Sequence, residues 1–346
     1  MDFAFSAEQE MLRVAAKEFL AEQYPLDGVP AIVDGSPGWQ PESWKQVAEL
    51  GWTDPELTLL DHVVLFEETG AALLPAPLFS TLALALPAVQ HDAELAAAVS
   101  AGDLRLSLAW AESGRPQGLR DTDLATSVSA DGRVTGTKIL VPDAACTDAL
   151  VVVTAGAELR LVRTADATVT PLSTSDLSRR LYTVEFADAP SRSLTSGHAV
   201  LAAIENRAFV LAAAEALGVG RRAVDDGVAH ASSRSQFGKV IGTYQAVSNQ
   251  LVDSYAALEL ARSLTYWAAW SVQEEDPQAD VACAAAKSAA AEAAVAACEH
   301  VIQVLGGVGM TWEHVLHRLY KRAQWLAAFG GGARDLRARI ADAIIG

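Results

Sequence analysis

Two short segments of the chain carry residue types suited to binding a dinucleotide. The first is Arg234-Ser-Gln-Phe-Gly-Lys239, with Gln245 close behind it, and the second is Gln303-Val-Leu-Gly-Gly-Val-Gly309. An arginine can bind a pyrophosphate through two parallel charged hydrogen bonds. Glycine lets the backbone come close to a phosphate or a ribose because it has no Cβ. The candidate cofactor-binding residues are therefore Arg234, Phe237, Gln245, Gln303, Gly306 and Gly307.

The overall composition excludes one class of partner. The chain has 346 residues, of which 51% are hydrophobic, and its formal net charge is −17. Nucleic acid is not expected as a partner, since binding its phosphates needs a basic surface. An anionic nucleotide remains compatible, because a local arginine can act inside an acidic protein.

Three further features favour a cytoplasmic protein without a metal. The cysteines Cys146, Cys283 and Cys298 show no paired spacing, and the first residues are not a cationic leader. No uninterrupted apolar run reaches the roughly 18 residues of a membrane span, so none is expected. The seven histidines show no metal-ligand spacing, so no metal site is expected.

Hydrophobic periodicity divides the chain into three regions. Residues 1–103 are predicted to be helical, with a capping box at Ser6–Gln9 and a later helix over Leu78–Val89. Residues 104–192 alternate in short β-rich runs, and residues 193–346 return to a helical period. The chain therefore predicts an α+β protein with three domains at these bounds.

Two local patterns within these regions make sharper predictions. Asp131-Gly132 predicts a β-hairpin in which both turn residues have positive φ. In the last region, a stripe at helical spacing is expected to face the core of a long-helix bundle. Its members are Val247, Leu251, Tyr255 and Leu258.

This order of regions and the two glycine-containing segments together resemble the acyl-CoA dehydrogenase family, most specifically over residues 198–325. The resemblance implies an N-terminal helical domain, a small middle β-barrel or sandwich domain, and a C-terminal four-helix bundle that binds FAD and forms oligomers. It implies that Arg234 contacts the FAD pyrophosphate, with Phe237 near the flavin nucleotide and Gln245 at the adenosine part. Gln303, Gly306 and Gly307 would reach the same FAD from a neighbouring subunit.

Simpler structural interpretations of these residues stay open. Arg234 could be a surface residue, and Phe237 could be buried where it closes a turn between helices. Gln245 could be a polar residue at a helix N-terminus. Gly306 would end a helix in any case, because glycine is the commonest C-cap residue.

The family's reaction needs a carboxylate that the chain does not supply at the expected positions. Acyl-CoA dehydrogenation removes an α-proton and passes the β-hydrogen to the flavin as hydride, so a base must stand at the α-carbon. The family places this glutamate at one of two positions, which align here with Gly330 and Ala208. Glu205, close to the second, is a substitute candidate. The alternative is that Glu205 is an exposed acid in a first helical turn, favoured by the helix dipole.

With these departures from the family pattern, the chain resembles the shorter subunit of the heterotetrameric (α2β2) acyl-CoA dehydrogenases of actinobacterial steroid side-chain degradation. The resemblance implies a subunit that binds FAD while a homologous partner subunit supplies the glutamate. It also implies an acyl-CoA substrate and an electron-transfer flavoprotein as electron acceptor. Three alternatives stay open: a self-sufficient homotetramer with Glu205 as base, a desulfinase-like relative that needs no base, and a scaffold that has lost FAD.

Overall fold

The structure is a computed structural model, and it describes residues 5–115 and 117–346. Its helices are α1 (Ala7–Gln23), α2 (Val29–Val33), α3 (Pro41–Glu49), α4 (Leu59–Ala71), α5 (Leu86–Val89), α6 (Ala93–Ser100), α7 (His198–Ser233), α8 (Gln245–Gln273), α9 (Ala279–Leu305), α10 (Leu316–Ala328) and α11 (Ala333–Ile345). Its strands are β1 (Leu106–Ala109), β2 (Ser127–Val128), β3 (Arg133–Pro142), β4 (Ala149–Thr154), β5 (Glu158–Arg163), β6 (Thr168–Pro171), β7 (Leu181–Pro190), β8 (Arg192–Ser193), β9 (Ser235–Gln236) and β10 (Lys239–Val240).

The described residues form two compact units, and the three predicted domains stay a prediction. One unit, residues 32–58 and 75–208, holds two four-stranded sheets. The first has the antiparallel order β2-β3-β7-β6, and the second has the order β1-β4-β5-β8, with β1 parallel to β4. Buried residues of both sheets share one apolar core, among them Val134, Leu150, Val152, Val184 and Phe186. Strands β1 and β4 are buried at every residue, so they lie inside the protein on both faces.

The hairpin predicted at Asp131-Gly132 is confirmed, but the predicted turn is wrong. Strand β2 pairs antiparallel with β3, with Val128 opposite Val134. Only Gly132 of the two turn residues has positive φ, at +80°. The hydroxyl of Ser129 accepts from the N–H of Arg133 and donates to Asp131, so these bonds stabilise a longer loop.

The second unit is helical, and its described part consists of residues 5–31, 59–74 and 209–346. The predicted capping box of α1 is confirmed: Ser6 accepts from the N–H of Gln9, whose side chain accepts from the N–H of Ser6. Small residues bring α7, α8 and α9 close together, since a Cβ on Gly227 would lie 2.9 Å from Leu251 Cδ2 and 2.8 Å from Val301 Cγ2.

The stripe predicted for α8 is partly wrong. Leu251 and Leu258 are buried as expected, but Tyr255 is 59% exposed. The buried face passes through Ser254 instead, whose hydroxyl oxygen lies 2.8 Å from Nδ1 of His300 in α9. A polar pair therefore occupies the position that an apolar side chain was expected to fill.

Among residues 5–115 and 117–346, one helical stretch, Ala279–Met310, is long and apolar enough to cross a membrane by length and composition alone. Its small residues Ala282, Ala286, Ala290 and Ala294 are buried at helical spacing within the unit. Lys287 is buried among them, and its ammonium group donates to two backbone carbonyls. These contacts are those of the core helix of a bundle.

Candidate cofactor site

The segment Arg234–Lys239 forms a tight β-hairpin at the end of α7. Strands β9 and β10 pair with Gln236 opposite Lys239, so Phe237 and Gly238 are the two turn residues. Their φ values are +54° and +83°, as a type I′ turn requires. Phenylalanine pays roughly 1–2 kcal/mol for a left-handed conformation.

Phe237 points to the surface, so the interpretation of Phe237 as a buried residue is wrong. Its side chain is 93% exposed. The hydroxyl of Tyr244 donates to the carbonyls of Gln236 at 3.3 Å and Phe237 at 3.4 Å, and this contact stabilises the turn. An exposed aromatic ring does not stabilise the hydrophobic core. Residues held in strained conformations cluster at functional sites, so Phe237 suits a binding surface.

Arg234 combines a fixed backbone with an available side chain. Its N–H donates to the carbonyl of His230 at 2.9 Å, and its carbonyl accepts from the N–H of Ile241 at 2.8 Å. The residue is exposed, and within residues 5–115 and 117–346 its guanidinium makes no hydrogen bond or ion pair. The guanidinium is therefore open to an anion from outside the chain.

The other candidates lie at helix ends. Gln245 is the exposed first residue of α8, and Tyr244 before it provides no side-chain cap. Gln303 is exposed in the last turn of α9. Gly306 ends α9 with a φ of +68°, which confirms its expected C-cap role. An added Cβ would meet nothing within 4 Å at Gly306 or Gly307, so space for a ligand lies in front of both.

The three helices bring all six candidate residues to one end of the helical unit. Gly227 of α7, Leu251 of α8 and Val301 of α9 lie at one level, as the Gly227 contacts show. Measured from these three residues, the end of α7, the start of α8 and the end of α9 all lie within about two helical turns, on the same side. The hairpin, Gln245 and the Gly306-Gly307 pair therefore share this end.

The turn at Phe329–Gly332, where the family's later glutamate aligns, is closed to a side chain. Helix α10 stops at Ala328, and Gly330 follows with a φ of +66°. A Cβ on Gly330 would lie 2.5 Å from Cε1 of Phe209, whose ring is 1% exposed. A carboxylate cannot be placed here without moving a buried ring.

Lys287 of α9 fixes the same turn. Its Nζ donates to the carbonyl of Ala327 at 2.9 Å and to that of Gly331 at 2.6 Å. Burial lowers the pKa of Lys287 to about 8, while the charge of Asp335 acts in the opposite direction. No local pattern around Lys287 signals this role, because the partners are backbone atoms some forty residues away.

Glu205 is buried and paired, so the interpretation as an exposed first-turn acid is wrong. The residue is 3% exposed, and its Oε2 lies 2.5 Å from Nε of Arg120. Nη2 of Arg120 also donates to the side chain of Asn206 at 3.0 Å. Protonation of Glu205 would forfeit this ion pair. Ala208, at the family's other base position, is fully buried and carries no acid.

Comparison with known proteins assigns the fold. Residues 198–345 match the acyl-CoA dehydrogenase C-terminal domain. The chain is 28% identical to the acyl-CoA dehydrogenase IpdE2 of Mycobacterium tuberculosis, over 96% of each chain. It is 34% identical over 283 residues to the acyl-CoA dehydrogenase FadE34 of the same organism, a match that covers 80% of this chain and 37% of FadE34. The chain thus spans little more than a third of FadE34.

Solved structures of acyl-CoA dehydrogenases superimpose on nearly the full length of the chain. A variant of the Tcur3481-Tcur3483 steroid ACAD superimposes with a TM-score of 0.88 at 27% identity, over 98% of each chain. The ChsE4-ChsE5 complex of M. tuberculosis does so with a TM-score of 0.88 at 25% identity, over 100% of this chain and 99% of the other.

Through its C-terminal domain, residues 198–345, the chain belongs to the acyl-CoA dehydrogenase family. Its members are FAD-dependent oxidoreductases that act on acyl-CoA, and FAD is the cofactor of this chain. The six candidate residues fit that cofactor chemically, since they offer an unpaired guanidinium, two exposed amides, an exposed ring and open space over two glycines.

Proposed function

We propose that this chain is one subunit of a heteromeric acyl-CoA dehydrogenase, in which it binds FAD and a homologous partner subunit supplies the base. One observation carries the proposal: the turn at Gly330 excludes a glutamate, because Phe209 occupies the space of its Cβ. The second base position is Ala208, and Glu205 is committed to Arg120. Among the described residues, each expected base position therefore lacks a free carboxylate.

The chain's own residues bind and orient the cofactor in this proposal. Arg234 would pair with the pyrophosphate, Phe237 would pack on the nucleotide, and Gln245 would bind its adenosine part. Gln303 and the Gly306-Gly307 pair would contribute to the FAD of a neighbouring subunit. When bound, FAD supplies the acceptor for the substrate's β-hydrogen.

The substrate is an acyl-CoA thioester, and we place it among the steroid-derived ones. The support is the likeness to the steroid ACAD Tcur3481-Tcur3483 over 98% of both chains. The ChsE4-ChsE5 complex, which pairs two different chains, supports a heteromeric partner. Electrons would pass from the reduced enzyme to an electron-transfer flavoprotein. No disulfide links the three cysteines, and all three are buried, which agrees with a reducing, cytoplasmic location.

The experiment is coexpression of this chain with each acyl-CoA dehydrogenase homologue encoded beside it. Native mass spectrometry and the flavin absorbance of the purified complex measure assembly and FAD content. The proposal expects a mixed tetramer that carries FAD and oxidises an acyl-CoA, and a chain that is inactive when expressed alone. An active, flavin-loaded homotetramer of this chain would overturn the division of labour.

A matched pair of variants then assigns the base. In the active complex, replacing the partner's glutamate at the family position by glutamine should abolish turnover while FAD stays bound. Glu205→Gln in this chain should leave turnover within a few-fold of the wild type. The reverse result would make this chain the catalytic one.

A further inference from the structure

Arg207 of α7 carries a buried donor that no acceptor of the described chain satisfies. Its Nη2 is buried and has no hydrogen-bond partner within residues 5–115 and 117–346. Burial is the sole cause that lowers its pKa, to about 10, and no carboxylate offsets it. The guanidinium therefore stays charged at neutral pH. A buried charged donor without a partner is costly, so it calls for an explanation.

The hydrogen bond of Arg207 to Leu82 explains only one of its donors. Nε of Arg207 donates to the carbonyl of Leu82 at 2.6 Å. Leu82 lies in a π-helical stretch, Phe79–Ala85, in which the N–H of Leu86 donates to Thr81 and bypasses Leu82. The next residue in this pattern is Pro87, which has no N–H to offer. Arg207 thus satisfies a carbonyl that the helix leaves open.

A single donor would be enough for that task, yet arginine brings five. Of the remaining ones, the donors on Nη2 are buried and unsatisfied among the described residues. The stretch Phe79–Ala85, which Arg207 contacts through Leu82, is buried throughout, and Ala208 beside Arg207 in the sequence is fully buried. π-helical turns are rare and are frequent at functional sites. A buried cationic donor without a partner, next to a mostly apolar buried stretch, matches a ligand that is mostly hydrocarbon and carries one oxygen acceptor. Such a donor matches a strongly hydrated phosphate poorly.

We propose that Arg207 is a specificity-determining residue that binds an oxygen acceptor, a carboxylate or a ketone, on the acyl group of the CoA thioester. The inference rests on the proposed function, because it takes such a thioester as the ligand. A carboxylate accepts two parallel hydrogen bonds from a guanidinium, and a ketone accepts one. A site with a buried polar group rejects an analogue that lacks the matching oxygen more strongly than an apolar pocket rejects one methylene.

The test is calorimetric binding to the flavin-loaded complex, with three pantetheine thioesters of equal acyl chain length. These are the adipoyl, 5-oxohexanoyl and hexanoyl thioesters, and none of them carries a phosphate. The wild type should bind the two oxygenated acyl groups roughly ten- to hundred-fold more tightly than hexanoyl. The adipoyl thioester should bind best if the natural acceptor is a carboxylate, and the 5-oxohexanoyl thioester if it is a ketone.

Variants separate recognition from folding. Arg207→Gln should bind all three thioesters with similar affinity. Arg207→Lys keeps a charge and a donor for Leu82, so it should fold as the wild type does and retain part of the adipoyl preference. Arg163→Gln removes an exposed arginine that pairs with Asp166, and it should keep the full preference. Thermal unfolding of each variant checks that the fold is intact.

Three results would overturn the inference while the proposed function stands. These are equal affinity of the wild type for all three probes, a preference that survives Arg207→Gln, and a loss seen with CoA thioesters but not with pantetheine thioesters. The last would assign Arg207 to a phosphate of CoA. A complex that binds neither these probes nor hexanoyl-CoA would instead refute the proposed function, and this inference with it.

Discussion

The Cβ that any residue but glycine would carry at position 330 falls 2.5 Å from Cε1 of Phe209. The φ of Gly330 is +66°, so the backbone also favours glycine. Phe209 is 1% exposed, and a ring packed so closely cannot move aside without strain. Sterics and backbone conformation therefore exclude a glutamate from this turn independently.

The two constraints can be separated with alanine. Gly156 has a similar φ of +74°, but a Cβ there would meet nothing within 4 Å. We expect Gly156→Ala to lower the free energy of unfolding by about 1–2 kcal/mol, the cost of the left-handed conformation. Gly330→Ala should cost about 1–3 kcal/mol more, because it also overpacks against Phe209. Urea unfolding measures both, and equal losses would show that the ring yields freely.

We expect loss of the ion pair between Glu205 and Arg120 to lower the stability of the fold. Glu205→Ala should lower the free energy of unfolding by about 3 kcal/mol, since it leaves the guanidinium of a partly buried pair without its carboxylate. Glu205→Gln keeps an acceptor for Arg120 and should cost less. Chemical denaturation of the two variants gives the comparison. A larger loss for the glutamine variant would contradict the assigned contact.

We expect a substitution in the β9–β10 hairpin turn to raise the stability of the fold and to lower its affinity for FAD. Phe237→Asn creates an Asn-Gly pair, the favoured type I′ turn sequence, and relieves the left-handed conformation of Phe237. The free energy of unfolding should rise by about 1 kcal/mol. FAD affinity should fall, because the exposed ring is lost. Flavin fluorescence titration and urea unfolding measure the two effects, with Phe237→Tyr as the control that keeps a ring. Unchanged FAD affinity would remove Phe237 from the site.

Much of the fold was predictable because its signals are local. The capping box at Ser6–Gln9 and the β2–β3 hairpin each depend on neighbouring residues, and both are confirmed. The helix expected over Leu78–Val89 is instead π-helical as far as Ala85. Its open carbonyl at Leu82 is satisfied by Arg207, a partner far away in the sequence, which no local pattern reveals.

The residues of the candidate site could be named from the sequence, and their role in binding FAD stays a prediction. The six candidate residues stood out by type and spacing, and Gly330 by alignment, but their exposure did not. Phe237 could equally have been buried, and it is exposed because it is a turn residue of the β9–β10 hairpin. Phe209, Lys287 and Arg120 act through contacts with distant elements, so hydrophobic periodicity could not mark them.

Lys287 gives the fold a pH dependence of defined sign. Burial lowers its pKa in the folded state to about 8, whereas the unfolded chain holds this proton up to about pH 10.4. Between these values the unfolded state binds more protons than the folded state, so stability rises with pH. Below pH 8 both states are protonated, and the residue contributes no slope.

Lys287→Met should remove this slope, because methionine does not titrate. At pH 7 the variant should be less stable by about 1–3 kcal/mol, since the carbonyls of Ala327 and Gly331 lose their donor. From pH 8 to pH 9 the wild type should gain up to about 1.4 kcal/mol over the variant. Urea unfolding at pH 7, 8 and 9 measures the difference, and Lys45→Met, at an exposed position of α3, controls for loss of a lysine. A wild-type advantage that stays constant with pH would mean that the buried ammonium keeps its ordinary pKa, held by the two carbonyls.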